Sequence, residues 1–208
     1  MSPRTKWTLL ISLAILCAAP FLLSPYHTTL LLPAIAYSII LLGFNLLFGY
    51  TGLLSFGHAL FVAVGAYTVA ILTSRLGIKN MELIFLSAIG ISVVIAIPVG
   101  LICVRYVRIF FGMLTLAFGM LFHSILFKFY DLSGGDSGIQ VVRPFLFGQD
   151  LSGMDKTSFL IGPFFYYSII ILLLLGALMW RIVHSPMGVH FRAIRDNPRR
   201  SEEHTSEL

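Results

Sequence analysis

WTLLISLAILCAAPFLLSPYHTTLLLPAIAYSIILLGFNLLFGYTGLLSFGHALFVAVGAYTVAILTS, from Trp7 to Ser74, contains no Asp, Glu, Lys or Arg in 68 consecutive residues. A helix rises about 1.5 Å per residue and a bilayer core is about 30 Å thick, so one crossing takes roughly 20 residues. The run is long enough for three crossings. Ser24-Pro25-Tyr26-His27 ends the first, because Pro25 lacks an amide donor and clashes with the preceding turn. Gly49-Tyr50-Thr51-Gly52 ends the second. Three further uncharged runs, Leu83–Val104, Ile109–Phe127 and Thr157–Trp180, each suffice for one more span. No barrel-like alternation is present, so the spans read as helices. The predicted fold is an all-α polytopic membrane protein with about six transmembrane helices.

Composition leads to the same class. Apolar residues make up 58% of the chain and charged ones 11%, where soluble domains carry about 25% charge. Too few charges remain to cover a soluble surface, and so apolar a chain is not disordered. Cys17 and Cys103 both lie in apolar runs, which supports neither a disulfide scaffold nor a metal site. The net charge of +5 is scattered and gives no basis for nucleic-acid binding.

The Lys and Arg distribution predicts a cytoplasmic amino terminus. That orientation places Arg4, Lys6, Arg105, Arg108, Arg181, Arg192, Arg195 and Arg199 inside, against Arg75, Lys79, Lys128, Arg143 and Lys156 outside. Arg4, Lys6 and Ala18-Ala19 also resemble a signal peptide. The apolar run, however, continues through Leu23 into further membrane segments, so the first span reads as an anchor.

Within the spans, the second and third carry small and polar residues. Asn45 and Gly49 lie four apart, on one helix face. Gly52, Ser55, Ala59, Ala63, Ala66 and Ala70 recur at three- and four-residue steps, a small stripe that lets another backbone approach. His58 and Gly65 lie on the adjoining face. Ser55 and His58 fit either packing or a solute pathway, and Gly49–Gly57 fits either a cytoplasmic turn or a broken helix. No carboxylate lies inside a span, which removes the usual acidic groups of proton- or sodium-coupled carriers. There is no phosphate loop and no metalloprotease or serine-hydrolase motif, so the chain itself does not read as an enzyme. Gly134-Gly135-Asp136-Ser137-Gly138 reads as a flexible external turn. After the last span, Ser185-Pro186 is a helix start, with the Ser185 hydroxyl as cap and Pro186 at the first helical position. Met187, Phe191 and Ile194 then form an apolar stripe beside Arg192 and Arg195, a pattern suited to lipid contact or to partner docking.

Four stretches together resemble the permease subunits of bacterial ABC importers for branched-chain amino acids, of the LivM type. Asn45 through Ala59, continuing to Gly65-Ala66-Tyr67, is similar to the N-L-x-x-G-Y-T-G-x-x-S-x-G-H-A signature. Thr115-Leu116-Ala117-Phe118 is similar to a T-L-A-F helix segment. Ser133-Gly134-Gly135-Asp136-Ser137-Gly138 is similar to T-G-G-x-x-G, with Ser for Thr. Ser185-Pro186-Met187-Gly188 with Arg192-Ala193-Ile194-Arg195-Asp196-Asn197 is similar to S-P-x-G and R-A-I-R-[DE]-N.

The resemblance implies an ATP-driven importer in the bacterial cytoplasmic (inner) membrane. Its implied partners are a second permease, two separate ATP-binding subunits and a periplasmic substrate-binding protein, with no cofactor. It implies a substrate path between the permeases, for which Asn45, Gly49, Thr51, Gly52, Ser55, Gly57 and His58 are the candidate lining. It implies ATPase docking around Arg192, Ala193, Ile194, Arg195, Asp196 and Asn197. Related permeases carry urea or short amides, and a self-sufficient channel or carrier for small polar solutes is the reading from a different class.

Residues 1–199 are expected to form the amino-terminal part of such a transmembrane domain. The first 200 residues contain six acidic side chains, and the final eight, Ser201–Leu208, contain three. The family pattern fails at this change of composition, where its members continue into a coupling helix and further spans. Residues 200–208 read as the translation of a sequencing-adapter oligonucleotide joined to a truncated gene.

Overall fold

The computed structural model describes residues 3–105, 109–151 and 153–196. Asn197 and the expected adapter segment lie outside the described residues. The elements are α1 (Pro3–Leu22), α2 (Pro25–Phe44, extended by a π-helical turn, Asn45–Tyr50), α3 (His58–Ser74), α4 (Met81–Cys103), α5 (Ile109–Lys128), the single turn α6 (Tyr130–Ser133), α7 (Lys156–Ile161), α8 (Pro163–Val183) and α9 (Pro186–Asp196). No strand occurs among the described residues; the Asn80–Phe145 and Leu146–Gln149 bridges are isolated.

Four of these helical stretches are long and apolar enough to cross a membrane: Pro25–Tyr50, Met81–Cys103, Ile109–Lys128 and Lys156–Val183. Two shorter apolar helices, Ile11–Leu22 and His58–Ser74, occupy the first and third of the expected spans. The sixth expected span is interrupted at Gly162: α7 stops there and α8 starts at Pro163, whose fixed φ suits a first helical position. Pro25 likewise opens α2 as well as ending α1. Only 6% of the most apolar window of α4 is buried within the chain. Most of its apolar surface is therefore left uncovered by the chain itself, as befits a multi-pass membrane protein.

The chain divides into two units. The first combines α1, the first part of α2, α7 and most of α8. Its core is Ala19, Ile35, Phe165 and Ile169, with Leu13, Leu16, Leu31 and Leu172 packed around it. The Tyr166 hydroxyl donates to the Cys17 carbonyl at 3.2 Å.

The second unit is built on α3, which packs against α4 and α5. The buried residues of α3 are Leu60, Val64 and Thr68, at helical spacing, with Ala70 and Thr73 near its end. The Thr68 hydroxyl donates back to the Val64 carbonyl at 2.7 Å, so its burial leaves no donor unpaired. The small stripe read from the sequence joins these buried residues only at Ala70: Ala59 and Ala66 are exposed, and Gly52 and Ser55 precede the helix. The steps of three and four are meaningful only from His58 onward, where α3 begins.

Loops gather at the carboxyl end of α3. The Ser74 hydroxyl donates to the Gln140 carbonyl, and the Arg75 guanidinium to the Asp131 carbonyl. Met81 N–H donates to the Phe145 carbonyl at 3.0 Å, and the Glu82 carboxylate accepts from Phe147 N–H at 2.7 Å. The Gly134–Gly138 stretch is a tight turn and not a loose one. Ser133 is 1% exposed. Its hydroxyl donates to the Leu126 carbonyl at 2.5 Å and accepts from Gly135 N–H at 3.0 Å. Gly134, Gly135 and Gly138 all have positive φ, a conformation that favours glycine.

Candidate functional site

The π-helical turn at the end of α2 is where the first motif begins. Such a turn holds an extra residue, which widens the spacing of its hydrogen bonds. Leu53 N–H reaches back to the Leu47 carbonyl at 3.2 Å, and the Thr51 hydroxyl donates to the same oxygen at 2.5 Å. Gly52, with φ +72°, makes the left-handed step that lets the chain leave the helix axis. Gly49 lies against the side-chain oxygen of Asn45, so the pair spaced four apart in sequence does meet.

From Leu53 to Gly57 the chain leaves helical geometry and lies along α5. Phe56 N–H donates to the Thr115 hydroxyl at 3.2 Å, and that hydroxyl donates to the Gly112 carbonyl at 2.8 Å. The Ser55 hydroxyl accepts from Gly57 N–H at 3.3 Å. A Cβ on Gly57 would lie 2.6 Å from the Thr115 carbonyl oxygen, and one on Gly112 would lie 3.1 Å from the Leu54 carbonyl. The observed geometry is a non-helical link between α2 and α3, with its backbone seated on a neighbouring helix.

This seat separates the candidate path residues. Ser55 and Gly57 are buried in the contact with α5. His58 begins α3 with its ring edge-on to Phe44 at 5.2 Å, and its Nδ1 is buried without a hydrogen-bond partner among the described residues. Asn45 is exposed, and Gly49, Thr51 and Gly52 lie at the π-helical turn. Beside the link, a cavity of about 590 Å³ opens between α3 and α5, with Phe56, Ala59, Ala63, Gly119, Met120 and His123 among its lining residues. Gly112 and Thr115, which hold the segment, were not among the predicted site residues. Thr115 was legible only as the first residue of the Thr115–Phe118 segment, and Gly112 lies three residues before it on the same face of α5.

The second candidate cluster reaches the same place from the far end of the chain. The turn from α8 into α9 is so tight that a Cβ on Gly188 would strike the Val183 carbonyl. The Ser185 hydroxyl does not cap α9; it donates to the Ile182 carbonyl behind it at 2.6 Å, and Gly188 N–H instead uses the Ser185 carbonyl at 3.0 Å. α9 then packs on the π-helical turn. Arg195 Nη1 donates to the Gly49 carbonyl at 2.7 Å. Arg192, Ala193 and Ile194 are exposed. Asp196 is the last residue of α9, and Asn197 lies beyond the described residues.

Both ends of the sequence signature thus converge on one structure, Gly49–Gly52 with α9. Compared with known sequences, residues 26–204 match the family described as branched-chain amino acid transport system / permease component. The chain belongs to that family. It is 28% identical to the high-affinity branched-chain amino acid transport system permease protein LivM of Salmonella typhimurium, over 93% of this chain and 49% of that protein. It is 29% identical to LivM of Escherichia coli strain K12, over 90% of this chain and 48% of that protein. The chain therefore spans about half the length of the curated relatives it matches. No solved structure matches it.

Among the described residues, no group of three or more His, Cys, Asp or Glu side chains is placed to hold a metal ion. Glycines at 49, 52, 57, 112 and 188 let the backbone come close to a neighbour: at each, an added Cβ would strike or crowd a neighbouring atom.

Proposed function

We propose that this chain is a permease subunit of an ATP-driven importer for branched-chain amino acids in the bacterial inner membrane, forming the substrate path with a sister permease. Two ATP-binding subunits supply the energy, and a periplasmic binding protein delivers the substrate. The observation that supports this reading most is the family match over residues 26–204, and the contact of α9 with the π-helical turn at Gly49 is consistent with a docking helix set against a path segment. The lack of a phosphate loop agrees with hydrolysis on separate chains. The α3/α5 cavity beside the link is apolar in most of its lining, which suits an aliphatic side chain.

The test is reconstitution of the gene's full product in liposomes with its sister permease, the ATPases and the binding protein. Uptake of labelled leucine should require ATP and every component. Uptake by this chain alone, without ATP, would establish a channel or carrier instead. Uptake of urea or a short amide in preference to leucine would leave the machine intact and change its substrate.

A further inference from the structure

We infer that Arg195 is a positioning residue inside the permease and not part of the surface that docks on an ATPase: it ties α9 to the Gly49–Gly52 turn, so that a displacement of α9 is delivered to the link between α2 and α3. The inference rests on the permease reading above and assigns the two faces of α9 different tasks.

At 3.6 residues per turn, Gly188, Arg192 and Arg195 share one face of α9, and Met187, His190 and Ile194 share another. The first face touches the chain at Gly188 and Arg195, while the Arg192 and Arg195 side chains keep much of their surface exposed. Gly188 is pressed against Val183, Arg192 Nε donates to the Gly188 carbonyl at 3.2 Å, and Arg195 reaches the Gly49 carbonyl at 2.7 Å. The second face is open, with Met187 59% and Ile194 45% exposed. An apolar face at the end of a membrane helix, with a histidine beside it, is what a partner protein can cover.

The Arg195 contact has two parts. The guanidinium meets a carbonyl near the carboxyl end of α2, where helix carbonyls lack intrahelical partners and carry partial negative charge. A hydrogen bond from a charged donor to such an oxygen is stronger than a neutral one. The methylene stem of Arg195 lies over Gly52, where a Cβ would be 3.1 Å from Cγ, 3.7 Å from Cβ and 3.8 Å from Cδ. Gly52 is thus both the left-handed step out of α2 and the seat of the stem. Beyond Gly52, the chain runs directly to the Thr115 clasp on α5. A push on α9 therefore reaches α5 through one side chain and five residues of backbone, Gly52 to Phe56.

The test uses the complete transporter with Arg195→Met, Arg195→Lys and Ile194→Asp. Arg195→Met should keep the ATPases on co-purification but lower leucine import per ATP hydrolysed by about tenfold, the size expected for one lost charged hydrogen bond. Arg195→Lys, with the charge but a shorter reach, should fall between. Ile194→Asp should lose the ATPases. Spin labels at Leu54→Cys and His190→Cys, with Cys17 and Cys103 replaced by Ser, should give one narrow distance that broadens in Arg195→Met. Wild-type coupling with an unchanged distance in Arg195→Met would overturn the inference, as would loss of the ATPases by Arg195→Met while Ile194→Asp retains them. If the unsubstituted transporter imports neither leucine nor a short amide with ATP, the permease reading has failed; the spin-label distance still tests the tie.

Discussion

Gly57 lies so close to Thr115 that a side chain at 57 would place its Cβ 2.6 Å from the Thr115 carbonyl oxygen. The obstacle is helix backbone, which cannot swing aside as a side-chain tip can. Gly57→Ala should therefore cost about 1–3 kcal/mol, the usual penalty for overpacking, and lower the melting temperature of the purified protein. Gly49→Ala should be milder, because its Cβ meets only the end of the Asn45 side chain. Equal destabilisation by the two would refute the argument.

Thr115 is the other half of that relationship. Thr115→Val removes the hydroxyl that accepts from Phe56 N–H and donates to the Gly112 carbonyl. Leaving the Phe56 donor unpaired should cost about 1–3 kcal/mol, and Thr115→Ser should restore most of it. Thermal unfolding in detergent measures both.

Gly52→Leu should abolish ATP-dependent uptake while leaving membrane insertion intact. A left-handed backbone costs a non-glycine residue roughly 1–2 kcal/mol, and a leucine side chain would also displace the Arg195 stem. Ala70→Leu should instead reduce the amount of assembled complex, because Ala70 is buried on α3. Quantified membrane fractions beside uptake assays separate the two effects, and transport at the normal rate by an assembled Gly52→Leu complex would remove the segment from the path.

The Asp155 carboxyl caps α7, and the hydrogen bond from Thr157 N–H, 3.0 Å long, holds it below the usual carboxylate range. Because the folded value is the lower one, the stabilisation of α7 is complete above the unfolded value and is lost as pH falls through the folded value. Hydrogen exchange at Phe159 N–H should quicken over that acidic window. In Asp155→Asn, which cannot titrate, that acid-dependent step should disappear.

Much of this molecule was legible in one dimension. The charge-free run from Trp7 to Ser74 identifies a membrane protein because expelling charge from a bilayer is a property of each residue separately. The punctuation by Pro25 and by Gly49–Gly52 was readable for the same reason: a missing amide or a missing Cβ acts where it sits. The motif that runs from Asn45 to Ala59 carries the family because its glycines and hydroxyls answer local backbone demands.

What only the tertiary structure decided are contacts between residues far apart in the chain. Thr115 reaches Phe56 across 59 positions, and Arg195 reaches Gly49 across 146. No periodicity encodes such pairs, since helical spacing reports which residues share a face and not what that face meets. The small stripe shows the limit: its spacing was helical, yet α3 begins only at His58 and buries Leu60, Val64, Thr68 and Thr73, with Ala70 the one stripe residue of the helix among them. Whether a small residue is packed or open depends on the neighbouring helix, and that is set by the path of the whole chain.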